Sequence, residues 1–546
     1  MRSVRELFTR YYSEVKDCLY PEGPIIAIQL ENEYRGKYSH IAALKSLAIK
    51  IGFKLPIYTA TAWPCKLDAK EVLPLYGTYP EAPWTQNIKP LPAGDRFKII
   101  PHFIDNVIGN DRGKYLSVDN DIIELPFGTC ELGAGVQSTD HRRPIISTKD
   151  AYALSLITIA KGANILGYYV YHGGRNPSFA PLQETRKTFF PNNLPLLNYD
   201  FQAPLDEYGY PREKYYYLRL LHYFCRFYDP KFPGTRALFP LANTQDYTCS
   251  VRIRPDGGGY IFINTYERGI KVKGSEGAVA KVITESGEKE FPIISLPDGE
   301  SFFYPFNFMI AGTKFDYITA QPFLRYSDTE GEHYLFIRHP AVKAIIKSQD
   351  GLNQELTDIN GVALTISYEG KKHFIELYDY ENAIQFYYDE QSIFKSSEYV
   401  YGEGDNRYRL ISSERSAKGI ELKKLENVKM KYDKYFYGIY KPSSYSLKVD
   451  KDTFTDIYDI RINFKSNCDM AHIYVGEKVV GDYINIDNNF SICLKRYRKY
   501  IEEGQSLIIR TSAIKPRQRT YFESKNVAGD SALSIKNIYK VSKEKV

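Results

Sequence analysis

Pro24-Ile25-Ile26-Ala27-Ile28-Gln29-Leu30-Glu31-Asn32-Glu33-Tyr34 is a run of apolar, largely β-branched residues that finishes on acids. A run of this kind suits a strand buried on both faces, as in a parallel sheet. The surrounding pattern extends that reading. Ahead of it, Val4, Leu7, Phe8, Tyr11, Val15 and Leu19 recur at helical spacing, and Pro21-Glu22-Gly23 is a turn. Behind it, 39–52 reads as a helix stopped by Gly52, while 55–62, 72–79 and 127–131 read as strands. A helix over 149–161 ends at Gly162, and a strand over 164–172 closes on Gly173-Gly174. Strands alternating with helices predict βα units and a parallel sheet.

In a sheet built this way, functional side chains gather at the C-terminal strand ends, where Glu33, Glu131 and His172 fall. Glu131 sits in Phe127-Gly128-Thr129-Cys130-Glu131-Leu132-Gly133-Ala134-Gly135, a strand followed by small residues that leave room for something to approach. Two carboxylates on the ends of parallel strands can face one cleft. Glycoside hydrolysis needs that pair: one acid to protonate the leaving oxygen, one carboxylate on the opposite side of the sugar. Glu31, by strand alternation, shares the face of Glu33 one pleat deeper and is expected to be structural. His172 is expected as a hydrogen-bonded rim residue, and Cys130 as a small packing residue. Asp140-His141-Arg142-Arg143 reads as a solvated loop, and Gly257-Gly258-Gly259 as a hairpin turn lacking the Lys-Ser/Thr and helix of a phosphate loop.

At 546 residues the chain should hold roughly three or four domains. Helical periodicity fades beyond Pro230, and short strands with hairpin signals take over, which predicts β-sandwich modules. The expected division is 1–230, 231–325 and 326–546. Net charge is +6, with bases spread along the chain; short clusters such as Lys495-Arg496-Tyr497-Arg498-Lys499 read as solvated surface, so no nucleic-acid partner is expected. Seven scattered cysteines without a C-x-x-C, and nine histidines without an H-x-x-x-H pair, imply neither a metal site nor a cofactor. No apolar run approaches the roughly 18 residues of a membrane span, and residues 1–20 lack the continuous apolar core of a secretion signal. No membrane partner is expected, and the compartment is left open.

Four stretches, in order, resemble the β-galactosidases of glycoside hydrolase family 35. Gly23-Pro24-Ile25-Ile26 through Glu31-Asn32-Glu33-Tyr34 resembles the family's strand-four motif, and Cys130-Glu131-Leu132-Gly133-Ala134-Gly135 its strand-seven motif in longer bacterial members. Tyr168-Tyr169-Val170-Tyr171-His172-Gly173-Gly174 is similar to the strand-eight signature, and Tyr199-Asp200-Phe201-Gln202-Ala203-Pro204-Leu205-Asp206-Glu207-Tyr208-Gly209 to the segment that follows. Weaker likeness continues at Thr319-Ala320-Gln321-Pro322 and at Cys468-Asp469-Met470-Ala471-His472-Ile473-Tyr474. The resemblance implies a multidomain α/β plus all-β chain: strands four to eight of a (β/α)8 TIM barrel, then β-sandwich and jelly-roll domains. It implies a retaining enzyme that removes terminal β-D-galactosyl residues from a β-galactoside or oligosaccharide. Glu33 would be the general acid/base, with its pKa raised in part by the neighbouring carboxylate, and Glu131 the nucleophile. Asn32 would bind the sugar 2-hydroxyl, and Tyr199 and Phe201 would line the galactose pocket.

Three positions depart from the family's pattern: Arg35 stands where Gly is common, Arg175 where Thr is usual, and Phe201 where some branches carry Tyr. Both arginines are expected near the barrel mouth. A full barrel would need three further βα units ahead of Pro24, about 70–100 residues at ~30 per unit, and a five-stranded remnant would expose a sheet edge. Two other readings follow: a non-catalytic carbohydrate-binding remnant, or one half of a split enzyme completed by a separate chain supplying strands one to three.

Overall fold

The computed structural model of the chain describes residues 2–34, 36–61, 72–101, 126–177, 184–240, 248–284, 287–389, 391–426, 428, 440–524 and 531–546. Arg35 lies outside them, as does the end of the strand expected over 55–62. The described part is mostly β-strand, arranged in several sheets, with few helices.

The first region contains α1 (Arg2–Val15), β1 (Ile28–Asn32), α2 (Tyr38–Ile51), β2 (Ile57–Thr61), β3 (Leu73–Thr78), β4 (Gly128–Leu132), β5 (Arg142–Arg143), α3 (Thr148–Ala160), β6 (Ile165–Tyr168) and α4 (Glu213–Tyr223). Strands β1, β2, β3, β4 and β6 form one sheet in that order, every neighbouring pair parallel. Glycines set the close approach of its strands. A Cβ on Gly128 would lie 2.6 Å from Ile165 Cβ, and one on Gly167 2.6 Å from the Thr129 carbonyl oxygen. At α1 the expected apolar stripe is off by part of a turn. Val4, Phe8, Tyr12 and Val15 pack inward, Tyr12 edge-on to Phe53 at 5.2 Å, while Leu7 and Tyr11 face outward.

Helix α3 is apolar all round, and Ala151–Ala160 is buried on every face, as suits a helix with no solvent side. It lies between the parallel sheet and a seven-stranded sheet spanning residues 236–355, against Phe262 and Phe303. Its ends are closed by side chains. Ser147 and Asp150 form a capping box at the N-terminus. At the other end the buried Arg252 donates to the carbonyls of Ile159 at 2.7 Å and Ala163 at 3.3 Å.

The seven-stranded sheet contains the hairpin around Gly257-Gly258-Gly259, between Thr248–Ile253 and Gly259–Asn264. A four-stranded sheet follows, and its strand Gln321–Ser327 runs through the expected division at 325/326. Both sheets contribute to the core that also holds α3, so the chain crosses that point without a linker. A helical turn, Tyr380–Ala383, is followed by a short strand, Phe386–Tyr388. The last part of the chain is two five-stranded sheets of antiparallel strands enclosing a single apolar core.

Candidate active site

Parallel strands aim their C-terminal ends the same way, so the residues just past those ends share one rim. Glu33 follows β1, Tyr79 follows β3, Glu131 is the penultimate residue of β4, and Tyr169 follows β6. The Tyr79 hydroxyl donates to Glu131 Oε2 at 2.7 Å. Tyr79 is itself held edge-on to Trp84 at 5.3 Å. Burial raises the pKa of Glu131 above the usual carboxylate range. The Tyr79 hydrogen bond pulls it back down, and the negative charges of Glu33 and Glu184 push it up. Burial likewise raises Glu184, and Glu33 adds to it. Three carboxylates therefore share the site, two expected and one not.

Strand alternation fails at the end of β1. Glu31 and Glu33 have left-handed backbones, φ 61° and 49°, and pairing with β2 is irregular between Gln29 and Asn32. Glu31 consequently turns to α2, where its Oε1 meets His40 Nε2 at 2.6 Å. This is a different geometry from the one expected, in which Glu31 shared the face of Glu33 one pleat deeper. Asn32 ends β1 with its Oδ1 accepting from Gln29 Nε2 at 3.1 Å.

Tyr199 and Phe201 stack on each other at 4.2 Å between ring centres. Phe201 meets Tyr169 edge-on at 5.9 Å, and the Tyr199 and Tyr169 hydroxyls are in contact. The small residues after Glu131 make room for this turn of the chain. A Cβ on Gly135 would lie 2.3 Å from the Phe201 carbonyl oxygen, and one on Gly133 2.8 Å from Tyr79 Cδ1. The turn is also gripped from the last β-sandwich. The buried carboxylate of Asp482 accepts the backbone N–H groups of Leu196, Leu197 (3.1 Å) and Asn198 (2.8 Å). Arg175 reaches the same sandwich, donating to the Val480 carbonyl at 2.6 Å.

Two expectations nearby need correction. Arg142 and Arg143 are not solvated: both are fully buried. Arg142 forms a two-bond ion pair with Glu81, at 3.1 and 2.9 Å, and lies 4.0 Å from the Tyr521 ring centre. Arg143 pairs with Asp469 at 2.6 Å and lies 4.7 Å from the Phe522 ring centre. β5 is hydrogen-bonded in parallel with Tyr521–Phe522, so this loop joins the site to the sandwich. Arg496 is not plain surface either: it bonds the Glu207 side chain and lies 4.0 Å from the Tyr208 ring centre. His172 Nδ1 contacts the Gly173 carbonyl oxygen at 2.5 Å, a local bond at the rim. Cys130 packs against β3, with its Sγ 3.7 Å from the Leu75 carbonyl oxygen.

Among the described residues no group of three or more His, Cys, Asp or Glu is placed to hold a metal ion. No helix among them is long and apolar enough to cross a membrane.

An apo structure of Bacteroides uniformis beta-glucuronidase 3 aligns at 10% identity over 98% of this chain and 52% of that one, with a TM-score of 0.29. Bacteroides uniformis beta-glucuronidase 2, covalently bound to cyclophellitol-6-carboxylate aziridine, aligns at 8% identity over 100% and 56%, with a TM-score of 0.22. The chain thus spans about half the length of these solved structures. Residues 1–225 match the family model described as Glycosyl hydrolases family 35.

Proposed function

We propose that the chain is a retaining glycoside hydrolase that cleaves terminal β-D-galactosyl residues by double displacement. Glu131 attacks the anomeric carbon as the leaving oxygen takes a proton from Glu33. Water then hydrolyses the glycosyl-enzyme with Glu33 as base. Asn32 contacts the sugar 2-hydroxyl, and Tyr199 and Phe201 line the sugar pocket. The five parallel strands are read as part of a (β/α)8 barrel, with the catalytic portion in 1–230. The observation that carries this is the pairing of Glu131 with Tyr79 and with the charge of Glu33 at one strand-end rim. A mechanism-based fluorogalactoside tests it: peptide mapping should find the label on Glu131, and a label elsewhere or none under turnover conditions sinks the assignment.

A second reading is that a separate chain completes the sheet, and β1 supports it. Among the described residues β1 has β2 as its only strand neighbour, and Ile26 just ahead of it is 68% exposed. Addition of a chain carrying the remaining strands should then raise activity and protect Ile26 from hydrogen exchange.

The electrostatics give a signed pH prediction. An attacking carboxylate must be ionised, so its pKa sets the acid limb of kcat/KM, above the ordinary ~4.3 of glutamate. Tyr79→Phe removes a donor that favours the ionised form, so the limb moves to higher pH. Glu184→Gln removes a repelling charge, so it moves to lower pH. Both shifts in one direction would contradict the arrangement.

Gly135→Ala should press on the Phe201 and Gln202 carbonyl oxygens, 2.3 and 2.5 Å from the new Cβ. A displacement near 1 Å of a sugar-lining turn costs about 100-fold in rate. Steady-state kinetics should show that loss with the protein still folded by circular dichroism.

A further inference from the structure

Two consecutive residues of the turn at the site, Phe201 and Gln202, have left-handed backbones, φ 53° and 54°. Such conformations are costly for residues with a Cβ and persist only where the surroundings over-determine them. Here the bracing falls on Gln202. Its N–H donates to the Asp200 carboxylate at 3.1 Å. Its side-chain oxygen accepts from the Ile146 N–H at 3.0 Å, and its side-chain nitrogen donates to the Pro144 carbonyl at 2.9 Å. Its own carbonyl accepts from Lys214 Nζ at 3.1 Å, and the same ammonium donates to the Ile146 carbonyl at 2.7 Å. Lys214, in the first turn of α4, thus ties the Phe201 turn to the chain between β5 and α3.

The charge of this brace has no direct counterion. Lys214 is 4% exposed, and among the described residues it bonds no carboxylate. The charged groups around it pair with one another: Asp200 with Arg212 at 2.7 Å, and Asp150 at the start of α3 with Arg268 at 2.5 Å. Glu213, its neighbour on α4, accepts from the Thr148 hydroxyl at 2.6 Å. Burial and then Arg212 lower the Lys214 pKa to about 7; Asp150 and Asp200 oppose them, and Arg268 adds a little.

Bonds from a charged donor are about twice as strong as those from a neutral one. We propose that Lys214 is a positioning residue for the sugar site: its ammonium clamps the Gln202 and Ile146 carbonyls, which holds Phe201 against Gly135 on the chain leaving Glu131, and loss of its proton loosens the turn. This rests on Phe201 lining the sugar pocket, as read above, and adds a proton-dependent control of that pocket. Stability moves the other way. An unfolded lysine keeps its proton to about 10.4, so from about 7 up to that value the unfolded chain binds more protons and stability rises with pH. A turn that loosens while the fold gains stability is not general unfolding.

Two measurements on the intact chain, from about pH 5.5 to about 8.5, test this. One is hydrogen exchange of residues 196–205, corrected for the intrinsic rate; the other is calorimetric binding of methyl β-thiogalactoside, which resists hydrolysis. In the unaltered protein both turn protection and sugar affinity should fall about fivefold as pH rises through about 7. Lys214→Arg stays charged throughout, and the cavity of about 680 Å³ that Lys214 borders leaves room for the larger head. It should keep both quantities level across that range. Lys214→Met should show the loose values at every pH. Should Lys214→Met fail to fold, the unaltered protein and Lys214→Arg still decide. Turn protection that ignores pH, or that falls equally in Lys214→Arg, overturns the proposal. Protection that follows the Lys214 charge with no galactoside bound at any pH keeps the brace and removes the galactoside reading.

Discussion

Glu131→Gln is expected to lower kcat on aryl β-galactosides on the order of 10⁴-fold or more, the scale seen when a covalent nucleophile is removed. The substitution keeps the side chain's shape and an acceptor for the Tyr79 hydroxyl, now 2.7 Å from Oε2, so folding should be spared. Glu33→Gln should behave differently, and the difference identifies the roles. Protonation of the leaving oxygen matters little when that oxygen belongs to an acidic phenol, so glycosylation with a dinitrophenyl galactoside should survive. The glycosyl-enzyme would then persist for want of a base, and azide, which needs none, should restore turnover as a β-galactosyl azide. If Glu33→Gln and Glu131→Gln respond alike to leaving group and azide, the two carboxylates are not acid/base and nucleophile.

The placement of the two carboxylates at strand ends was legible because strand ends have a local signature. The β-branched run into Glu31-Asn32-Glu33 and the Gly-rich exit after Glu131 report backbone geometry within a few residues, and β1 and β4 form there. Tyr79 and Tyr169 also follow strand ends, β3 and β6, so the rule that located Glu33 could have found them. In a chain with 48 tyrosines nothing local set them apart. For Glu184, only folding brings its charge to Glu33. The backbone at Glu31 and Glu33 was hidden for another reason: left-handed conformations at non-glycine residues are imposed by surroundings and have no composition of their own. The solvated reading of Arg142-Arg143 failed because charge alone speaks for exposure. Their partners Asp469, Tyr521 and Phe522 lie more than 300 residues away.

That buried pair supports the second large prediction. Arg143 donates to the carbonyls of Thr139 (3.2 Å), Asp469 (3.0 Å) and Asn485 (3.1 Å) as well as to the Asp469 carboxylate. Arg143→Ala leaves the Asp469 carboxylate charged and buried without its ion partner, and breaking a buried pair this way costs about 3–5 kcal/mol. Removing both charges is cheaper than removing one, because no ion is stranded. Arg143→Met with Asp469→Leu should therefore lose markedly less than the sum of the single changes in urea unfolding. Activity should report the same contact. The sandwich that Arg143 grips also holds the Tyr199 turn through Asp482, so the single variant should raise KM at urea concentrations below the unfolding transition. A rise in KM that vanishes in the double variant ties sugar binding to the seating of the sandwich. Additive losses, or an unchanged KM, would mean that Arg143 supports the fold without steadying the site.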